Sequence, residues 1–270
     1  MKLDVLGALA KNSAYAYTGG KAFNPALPCV VFIHGASMDH SCWTLLARWF
    51  AHHGHSVLAL DLPGHMRSRG PLLPSVEAAA DWVLAVLDAA GVQRAALVGH
   101  SMGSLIALET AGRAPERTAQ LVMIGSAYPM NVSDALLATA QDAPERAMAM
   151  VNAWSIASQA SKPGFPGPGN WLHGSNLALM KRVQAAHLEA NVFLHDFEIC
   201  HRYRAGLEAA TRVACPVTMI LGHADQMTPP RAAREISAAL KATTVMIDSG
   251  HHLLAEAPDA VLHALRQALI

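Results

Sequence analysis

The stretch LVGHSMGS, residues 97–104, places one serine between two glycines. Gly99 and Gly103 each lie two positions from Ser101, and glycine has no Cβ to keep neighbouring backbone away. The apolar residues before the serine predict a buried strand, and SLIALETAGRA, from Ser104, predicts a helix. A serine on a sharp strand-to-helix turn presents its hydroxyl for attack on a carbonyl, so Ser101 is the predicted nucleophile.

Two later loops offer the groups that such a serine needs. A serine hydroxyl requires a base to take its proton, and the base works best when a carboxylate orients it. Asp225 lies in GHADQMTP, after the strand-like run PVTMIL, and His251 lies in SGHHLLAEAP, after TTVMID. Because loops at one edge of a parallel sheet can meet in space, Asp225 and His251 are the predicted acid and base. His252 is the competing candidate for the base.

The elements that must position these residues alternate between strands and helices. Six runs look apolar enough to be buried on both faces: 29–34, 56–61, 95–100, 120–125, 216–221 and 243–248. Helical patterns lie near 41–53, 75–90, 103–114, 231–241 and 256–269. This alternation predicts an α/β fold, with a mostly parallel twisted sheet covered by helices on both faces.

The alternation stops between residues 127 and 205. SDALLATAQ, PERAMAMVNAWSIASQA and a long stretch from Ser175 towards Tyr203 predict helices, and the Gly- and Pro-rich segment 161–171 predicts a loop. We interpret 127–205 as a helical cap over the carboxyl edge of the sheet, inserted between core segments 1–126 and 206–270. An ordinary helical subdomain without a gating role is the alternative.

Composition narrows the class of protein. The formal net charge is zero, charged residues make up 15% of the chain, and lysine and arginine are scattered, so we expect no nucleic-acid partner. The apolar runs are too short to span a bilayer, and the N-terminus does not look like a secretory signal. Four widely spaced cysteines are typical of free thiols in a reducing cytoplasm. The sequence does not indicate an oligomeric state.

Five motifs together resemble the alpha/beta hydrolases, and specifically their capped, serine esterase-like branch. They are HGASMDHSCW (34–43), DLPGHMRS (61–68), GHSMG (99–103), GHADQMTP (222–229) and GHHLLAEAP (250–258). The resemblance implies that Ser101, Asp225 and His251 occupy the family's nucleophile, acid and base positions. The family spacing G-H-x-x-x-x-E-x-P selects His251 rather than His252. Met66 departs from the pattern, because a glycine is usual at that position.

The resemblance also implies which groups stabilise a negatively charged oxygen. In acyl transfer two backbone N–H groups stabilise the oxyanion of the tetrahedral intermediate. One belongs to Met102, the residue after the nucleophile. By analogy with the family, the other belongs to Ala36, in the loop after the first long buried strand.

Aromatic residues and histidines are further candidates with weaker signals. Trp43, Trp154 and Trp171, with Phe165, are candidates for contact with substrate, although aromatic residues are more often core. His52, His53 and His55 lie where a helix is predicted to end, which is typical of a solvated turn. The insert histidines His187, His195 and His201 lack the close spacing of zinc ligands, so we predict no metal and no cofactor.

The predicted function is hydrolysis of a small or medium, mainly apolar carboxylic ester or thioester by Ser101, His251 and Asp225. A second hypothesis assigns the same three residues to a different reaction: cleavage of a C–C bond, cleavage of a lactone, or formation of a peracid. A third reading is a ligand receptor on the hydrolase fold with little or no turnover. Fold analogy alone does not separate the three readings.

Overall fold

The computed structural model of this chain describes residues 1–7, 10–157 and 171–270. Eight strands in these residues form one sheet, in the order β1-β2-β4-β3-β5-β6-β7-β8. Their bounds are Lys2–Gly7, Ala10–Tyr17, Cys29–Ile33, Ser56–Asp61, Ala95–His100, Thr118–Ile124, Val217–Gly222 and Thr243–Ile247. The pairs β1–β2 and β2–β4 are antiparallel, and every neighbouring pair in the run β4-β3-β5-β6-β7-β8 is parallel. The predicted mostly parallel sheet is therefore confirmed.

Helices cover both faces of this sheet, as predicted. In chain order α1 to α11 are Thr44–His52, Val76–Ala89, Met102–Arg113, Asp134–Asp142, Pro144–Ser155, Leu172–Ala185, Val192–Arg202, Gly206–Arg212, Arg234–Ala239, Leu253–Glu256 and Pro258–Leu269. Helices α2, α3, α8 and α9 pack into one hydrophobic cluster, and α1 and α11 pack into the other. Along β3, Val31 and Ile33 join the first cluster while Val30 and Phe32 join the second. This period of two is the geometry of a strand buried on both faces.

The N-terminal hairpin was not predicted, and it extends the sheet at one edge. β1 alternates in burial, with Leu3 and Val5 buried and Lys2 and Asp4 exposed. β2 then pairs with β4, bringing Tyr15 opposite Asp61. The alternation of apolar and polar residues was present in the sequence, but only as short, half-polar segments without the long apolar runs that marked the other strands.

The prediction that the strand at 243–248 is buried on both faces is wrong. β8 lies at the opposite edge of the sheet, and Thr243, Thr244 and Met246 on it are exposed. An edge strand has a neighbour on one side only, so it does not need to be apolar on both faces. Its last residue, Ile247, is buried and leads into the loop that carries His251.

Helices α4 to α7 form what we call the insert, and they have a small core of their own. Leu136, Met148, Met180 and Phe193 are buried together in that core. The single long helix predicted from Ser175 towards Tyr203 is instead two helices, α6 and α7. The chain breaks there because Asn191 caps α7, accepting a hydrogen bond from the Leu194 N–H at 3.0 Å. Most of the predicted loop 161–171, with Phe165, lies outside the described residues.

Among the described residues, no helix has both the length and the apolar character needed to cross a membrane.

Candidate active site

Ser101 occupies a strained turn between β5 and α3. Its backbone angles are φ 52° and ψ −119°, a region that L residues rarely adopt. A Cβ on Gly99 would overlap the backbone of Gly103, and a Cβ on Gly103 would overlap the carbonyl of Ile33. The two glycines therefore let the helix approach the sheet closely, and this close packing holds the serine in its strained conformation.

Three loops bring Ser101, His251 and Asp225 into one hydrogen-bonded series. Nε2 of His251 lies 3.0 Å from Oγ of Ser101, and Nδ1 lies 2.9 Å from Oδ2 of Asp225. These loops follow β5, β8 and β7, whose carboxyl ends share one edge of the sheet. Because the Nδ1–H group donates a hydrogen bond to the carboxylate, Nε2 carries a lone pair that faces the serine hydroxyl.

The carboxylate of Asp225 is held by a set of donors within its own loop. Oδ1 accepts hydrogen bonds from the backbone N–H groups of Met227 and Thr228, each at 2.8 Å, and Oδ2 accepts from Oγ1 of Thr228 at 2.7 Å. Burial opposes the charge, but His251 and the Thr228 donors hold the pKa of Asp225 at about 2. Asp225 is therefore ionised at neutral pH. Sequence analysis missed Thr228, although it lies three residues after the predicted acid.

The loop after β3 packs directly against the Ser101 turn. A Cβ on Gly35 would lie 3.0 Å from Nδ1 of His100 and 3.3 Å from Cβ of Ser101. Ala36 follows in this loop and lies beside Ser101 in the cavity described below. Met102 is the first residue of α3, so its N–H is one of the four that have no acceptor within the helix. The assignment of the two oxyanion donors to Ala36 and Met102 stays a prediction.

His34 fixes the start of the same loop in a defined tautomer. Its Nε2 accepts a hydrogen bond from the Leu62 N–H at 3.1 Å, so the ring proton lies on Nδ1, which donates to the Gly35 carbonyl at 2.9 Å. Burial lowers the pKa of His34 to about 4. The side chain is neutral at pH 7 and supports the backbone of the loop.

The histidine next to the predicted base has a different environment. The backbone N–H of His252 donates to the Ser155 carbonyl at 2.9 Å, and its Nδ1 has no partner among the described residues. Burial lowers the pKa of His252 to about 4. The loop before His251 is fixed by Glu256, whose Oε1 accepts the Gly250 N–H at 3.1 Å. Of the two histidines, His251 is the one that contacts Ser101.

Comparison with known proteins identifies the family. A model described as the alpha/beta hydrolase family matches residues 30–264 of this chain. The chain belongs to the alpha/beta hydrolase family.

Individual relatives of this alpha/beta hydrolase have several activities. A pimeloyl-[acyl-carrier protein] methyl ester esterase of Methylococcus capsulatus is 31% identical over 224 residues, which cover 75% of this chain and 78% of the esterase. A dihydrolipoyllysine-residue acetyltransferase component of an acetoin cleaving system, from Pseudomonas putida, is 38% identical over 110 residues, which cover 40% of this chain and 28% of that protein. This chain also spans only 36% and 30% of two further curated relatives that it matches.

Solved structures share the fold across the whole chain. The enol-lactonase from Burkholderia xenovorans LB400 is 20% identical and has a TM-score of 0.82, covering 100% of this chain and 99% of its own. Est816, described as an N-acyl homoserine lactone degrading enzyme, is 23% identical and has a TM-score of 0.77, covering 97% of this chain and 98% of its own.

Two cavities of this hydrolase meet at Ser101. We call the larger, of about 220 Å³, the main chamber, and the smaller, of about 30 Å³, the small chamber. Both are lined by Ala36, Ser101, Phe197, Met227 and His251. Ser101 can therefore be reached from both chambers.

The three candidate tryptophans have three different surroundings. Trp154 lines the main chamber, as expected. Trp43 does not, because it is fully buried in the core with its ring 4.9 Å from that of Phe32. Trp171 is 51% exposed, packs beside His173 and lines neither chamber. The expectation that Trp43 and Trp171 contact substrate is therefore corrected.

A buried carboxylate of the insert, missed by sequence analysis, reaches the loop that carries Ala36. Oδ2 of Asp196, on α7, accepts the backbone N–H of Ser37 at 2.8 Å and a hydrogen bond from Nε2 of His65 at 2.9 Å. Burial opposes the charge on Asp196, but His65 and the other donors hold the pKa of its carboxyl well below the usual range. Burial also works against a charge on His65, yet Asp196 raises the pKa of that histidine. The pair connects the insert to the loop after β3.

Asp39, His40 and Asp61 are the one group in the described residues with the composition and spacing of a metal site, their ligand atoms lying within 4.8 Å of one another. The carboxylate oxygens already accept hydrogen bonds from the protein. Oδ1 of Asp61 is bonded to Nδ1 of His40 at 2.7 Å, and Oδ2 of Asp39 to Nη2 of Arg182 at 2.6 Å. The cluster is therefore part of a hydrogen-bond network that includes one ion pair, between Arg182 and Asp39.

Met66, where the family usually has glycine, takes the glycine-like conformation in this turn. Its φ is 42°, in the left-handed region. A non-glycine residue there costs about 1–2 kcal/mol. Met66 therefore has the backbone conformation that glycine adopts most readily.

Proposed function

We propose that the chain is a cofactor-free serine hydrolase that cleaves a carboxylic ester or thioester with a small to medium, mainly apolar acyl group. The observation that carries the proposal is the series Ser101 Oγ, His251 and Asp225, with spacings of 3.0 and 2.9 Å, at the floor of the main chamber. This is the arrangement in which a serine is activated for acyl transfer.

The first half of the reaction forms an acyl-enzyme. Nε2 of His251 takes the proton from Ser101 as Oγ bonds to the carbonyl carbon, and the N–H groups of Ala36 and Met102 stabilise the oxygen that becomes negative. The intermediate then expels the alcohol or thiol, and His251 returns the proton to the leaving atom.

The second half releases the acid. Water donates a proton to His251 and attacks the acyl carbon, and the ester bond to Ser101 breaks as Oγ regains a proton from Nε2. Asp225 holds the imidazole in the required tautomer and stabilises the imidazolium formed in each half. Its pKa of about 2 keeps it ionised throughout.

The walls of the main chamber favour an apolar acyl group. They are formed largely by Met130, Val132, Leu136, Trp154, Phe197, Cys200 and Met227. Each buried methylene contributes about 0.8 kcal/mol, so kcat/KM is expected to rise roughly fourfold per carbon until the chamber is full. Cys200 does not compete as a nucleophile, because burial raises the pKa of its thiol and keeps it protonated.

The test combines labelling with turnover. A fluorophosphonate probe should label the wild type and not S101A, and p-nitrophenyl esters with acyl chains of about two to eight carbons should show the predicted rise in kcat/KM. An excess of chelator should leave turnover unchanged. Wild type that neither labels nor turns over would favour the receptor reading.

A matched series separates the other chemistries on the same residues. A lactone and a vinylogous diketone are assayed beside the esters, with S101A as the control for each. Faster Ser101-dependent cleavage of the diketone than of every ester would replace ester hydrolysis with C–C hydrolysis as the function.

A further inference from the structure

Two asparagines of the insert form a buried amide pair above Ser101. Asn152 lies on α5 and Asn176 on α6, and their exposed fractions are 0% and 3%. Asn176 lies between two cavities: it lines the small chamber together with Ser101 and His251, and also a cavity of about 650 Å³ beside Leu172 and His252. The remaining walls of that chamber are largely apolar, with Val151, Met180 and Phe197 among them.

Hydrogen bonds fix which way each amide faces. Nδ2 of Asn152 donates to the backbone carbonyl of His173 at 2.8 Å, and a carbonyl can only accept. Oδ1 of Asn152 is therefore turned to Asn176, whose Nδ2 donates to it at 2.9 Å. Flipping Asn176 would set two acceptors against each other. Oδ1 of Asn176 is therefore left without a hydrogen-bond partner among the described residues.

An unpaired buried carbonyl oxygen is costly. Leaving such an acceptor unsatisfied costs about 1–3 kcal/mol, and nearly all buried polar groups in native proteins are paired. Asn176 holds such an acceptor in a wall that an apolar residue could form without that cost. A ligand group that donates a hydrogen bond would recover the lost free energy.

The position of the acceptor restricts what that ligand group is. The small chamber, at about 30 Å³, has room for a few heavy atoms, whereas the apolar main chamber has about 220 Å³. With the acyl chain in the main chamber, the small chamber is left for the leaving group. His251, which returns the proton to the leaving atom, lines the small chamber as well.

We propose that Asn176 selects esters whose short leaving alcohol carries a second hydrogen-bond donor, such as a hydroxyl, which donates to its Oδ1. This inference rests on the proposed function and names the leaving-group side of the same site. The bond that breaks is the one between the acyl carbon and the alcohol oxygen, and the departing diol takes the proton from His251. Asn176 acts as a specificity-determining residue and takes no part in the proton transfers.

The test uses two esters of equal shape. The 2-hydroxyethyl and n-propyl esters of butyric acid differ only in a terminal hydroxyl or methyl group, and acid release is followed by pH-stat titration. The wild type should prefer the hydroxyethyl ester in kcat/KM by about tenfold or more, since one well-formed hydrogen bond is worth about 1–3 kcal/mol here. N176L should remove or reverse the preference.

A control variant and a second substitution at Asn176 show whether the effect is specific to that residue. Q120L removes an amide from β6, where Gln120 lines neither chamber and donates to the Ala268 carbonyl at 2.6 Å, and it should leave the ratio between the two esters unchanged. N176A should behave as N176L, and fluorophosphonate labelling at the wild-type rate shows that each variant keeps its machinery.

The outcomes separate the two proposals. Equal rates on both esters, or a preference for the propyl ester, from a wild type that labels at Ser101 would overturn the role of Asn176 and leave the serine hydrolase intact. Absence of labelling and of all turnover would overturn the proposed function, and the inference with it.

Discussion

His251 and His252 are adjacent in the chain, yet the structure gives them different chemistry. Nε2 of His251 lies 3.0 Å from Oγ of Ser101, whereas the backbone of His252 bonds to Ser155 in the insert. The difference follows from the loop after β8, which Glu256 fixes by accepting the N–H of Gly250. Identical side chains therefore differ in role because of backbone direction alone.

At this scale we expect a clear split between two substitutions. H251N removes the base and should lower kcat by about a thousandfold or more, because the serine loses its proton acceptor. H252N should retain kcat to within about threefold, because no reacting group contacts that side chain. Burst and steady-state kinetics on one p-nitrophenyl ester measure both. Equal losses would show that the base had been assigned to the wrong histidine.

At the scale of elements, the strand ends and the Gly-x-Ser-x-Gly turn allowed Ser101, Asp225 and His251 to be predicted, because parallel strands deliver their following loops to one edge. The contacts of Asp196 and Asn176 could not be predicted. They depend on how α6 and α7 pack over the sheet, and Asp196 lies 159 residues from the Ser37 N–H that it accepts. Local patterns in a sequence do not determine such packing.

The link between α7 and the loop after β3 yields a second prediction. D196N keeps the shape of the side chain but replaces one acceptor oxygen with a donor, which disturbs the Ser37 N–H and its neighbour Ala36. We expect kcat to fall about 10- to 100-fold with little change in KM, since the oxyanion is stabilised mainly in the transition state.

The control is K181M, which removes an ion pair inside the insert instead. Lys181 and Glu145 are both exposed, and Nζ of Lys181 donates to Oε2 of Glu145 at 2.9 Å. K181M should change kcat by less than about threefold, in keeping with the small value of exposed ion pairs. If D196N lowered only the free energy of unfolding and left kcat unchanged, a role in positioning the loop would be contradicted.

For the whole molecule, several buried histidines govern the response to acid. Burial lowers the pKa of His34 and His252 to about 4 and that of His100 to about 3. Between pH 7 and these values the unfolded chain binds protons on these residues that the folded chain does not, so stability falls as pH falls. His65 acts in the opposite direction: its raised pKa contributes stability below its ordinary pKa, and that contribution is lost as pH rises through the raised value.

We therefore expect the free energy of unfolding in urea to decrease from pH 7 to pH 5, by roughly 2 kcal/mol for each of the three histidines before the opposing contribution of His65. H252N should flatten this dependence by about one histidine's share. The exposed His263 offers the matched control, and H263N should follow the wild type. If H252N left the pH dependence unaltered, the lowered pKa of His252 would not contribute to it, and this prediction would be wrong.

The distance along the chain between nucleophile and base has a consequence for biosynthesis. Ser101 and His251 are 150 residues apart, and β6, the whole insert, β7 and β8 are made between them. A nascent polypeptide on the ribosome thus contains Ser101 well before the loop with His251 has been synthesised. Under the proposed mechanism, a chain that ends before β8 lacks its base, so turnover requires the last loop of the sheet.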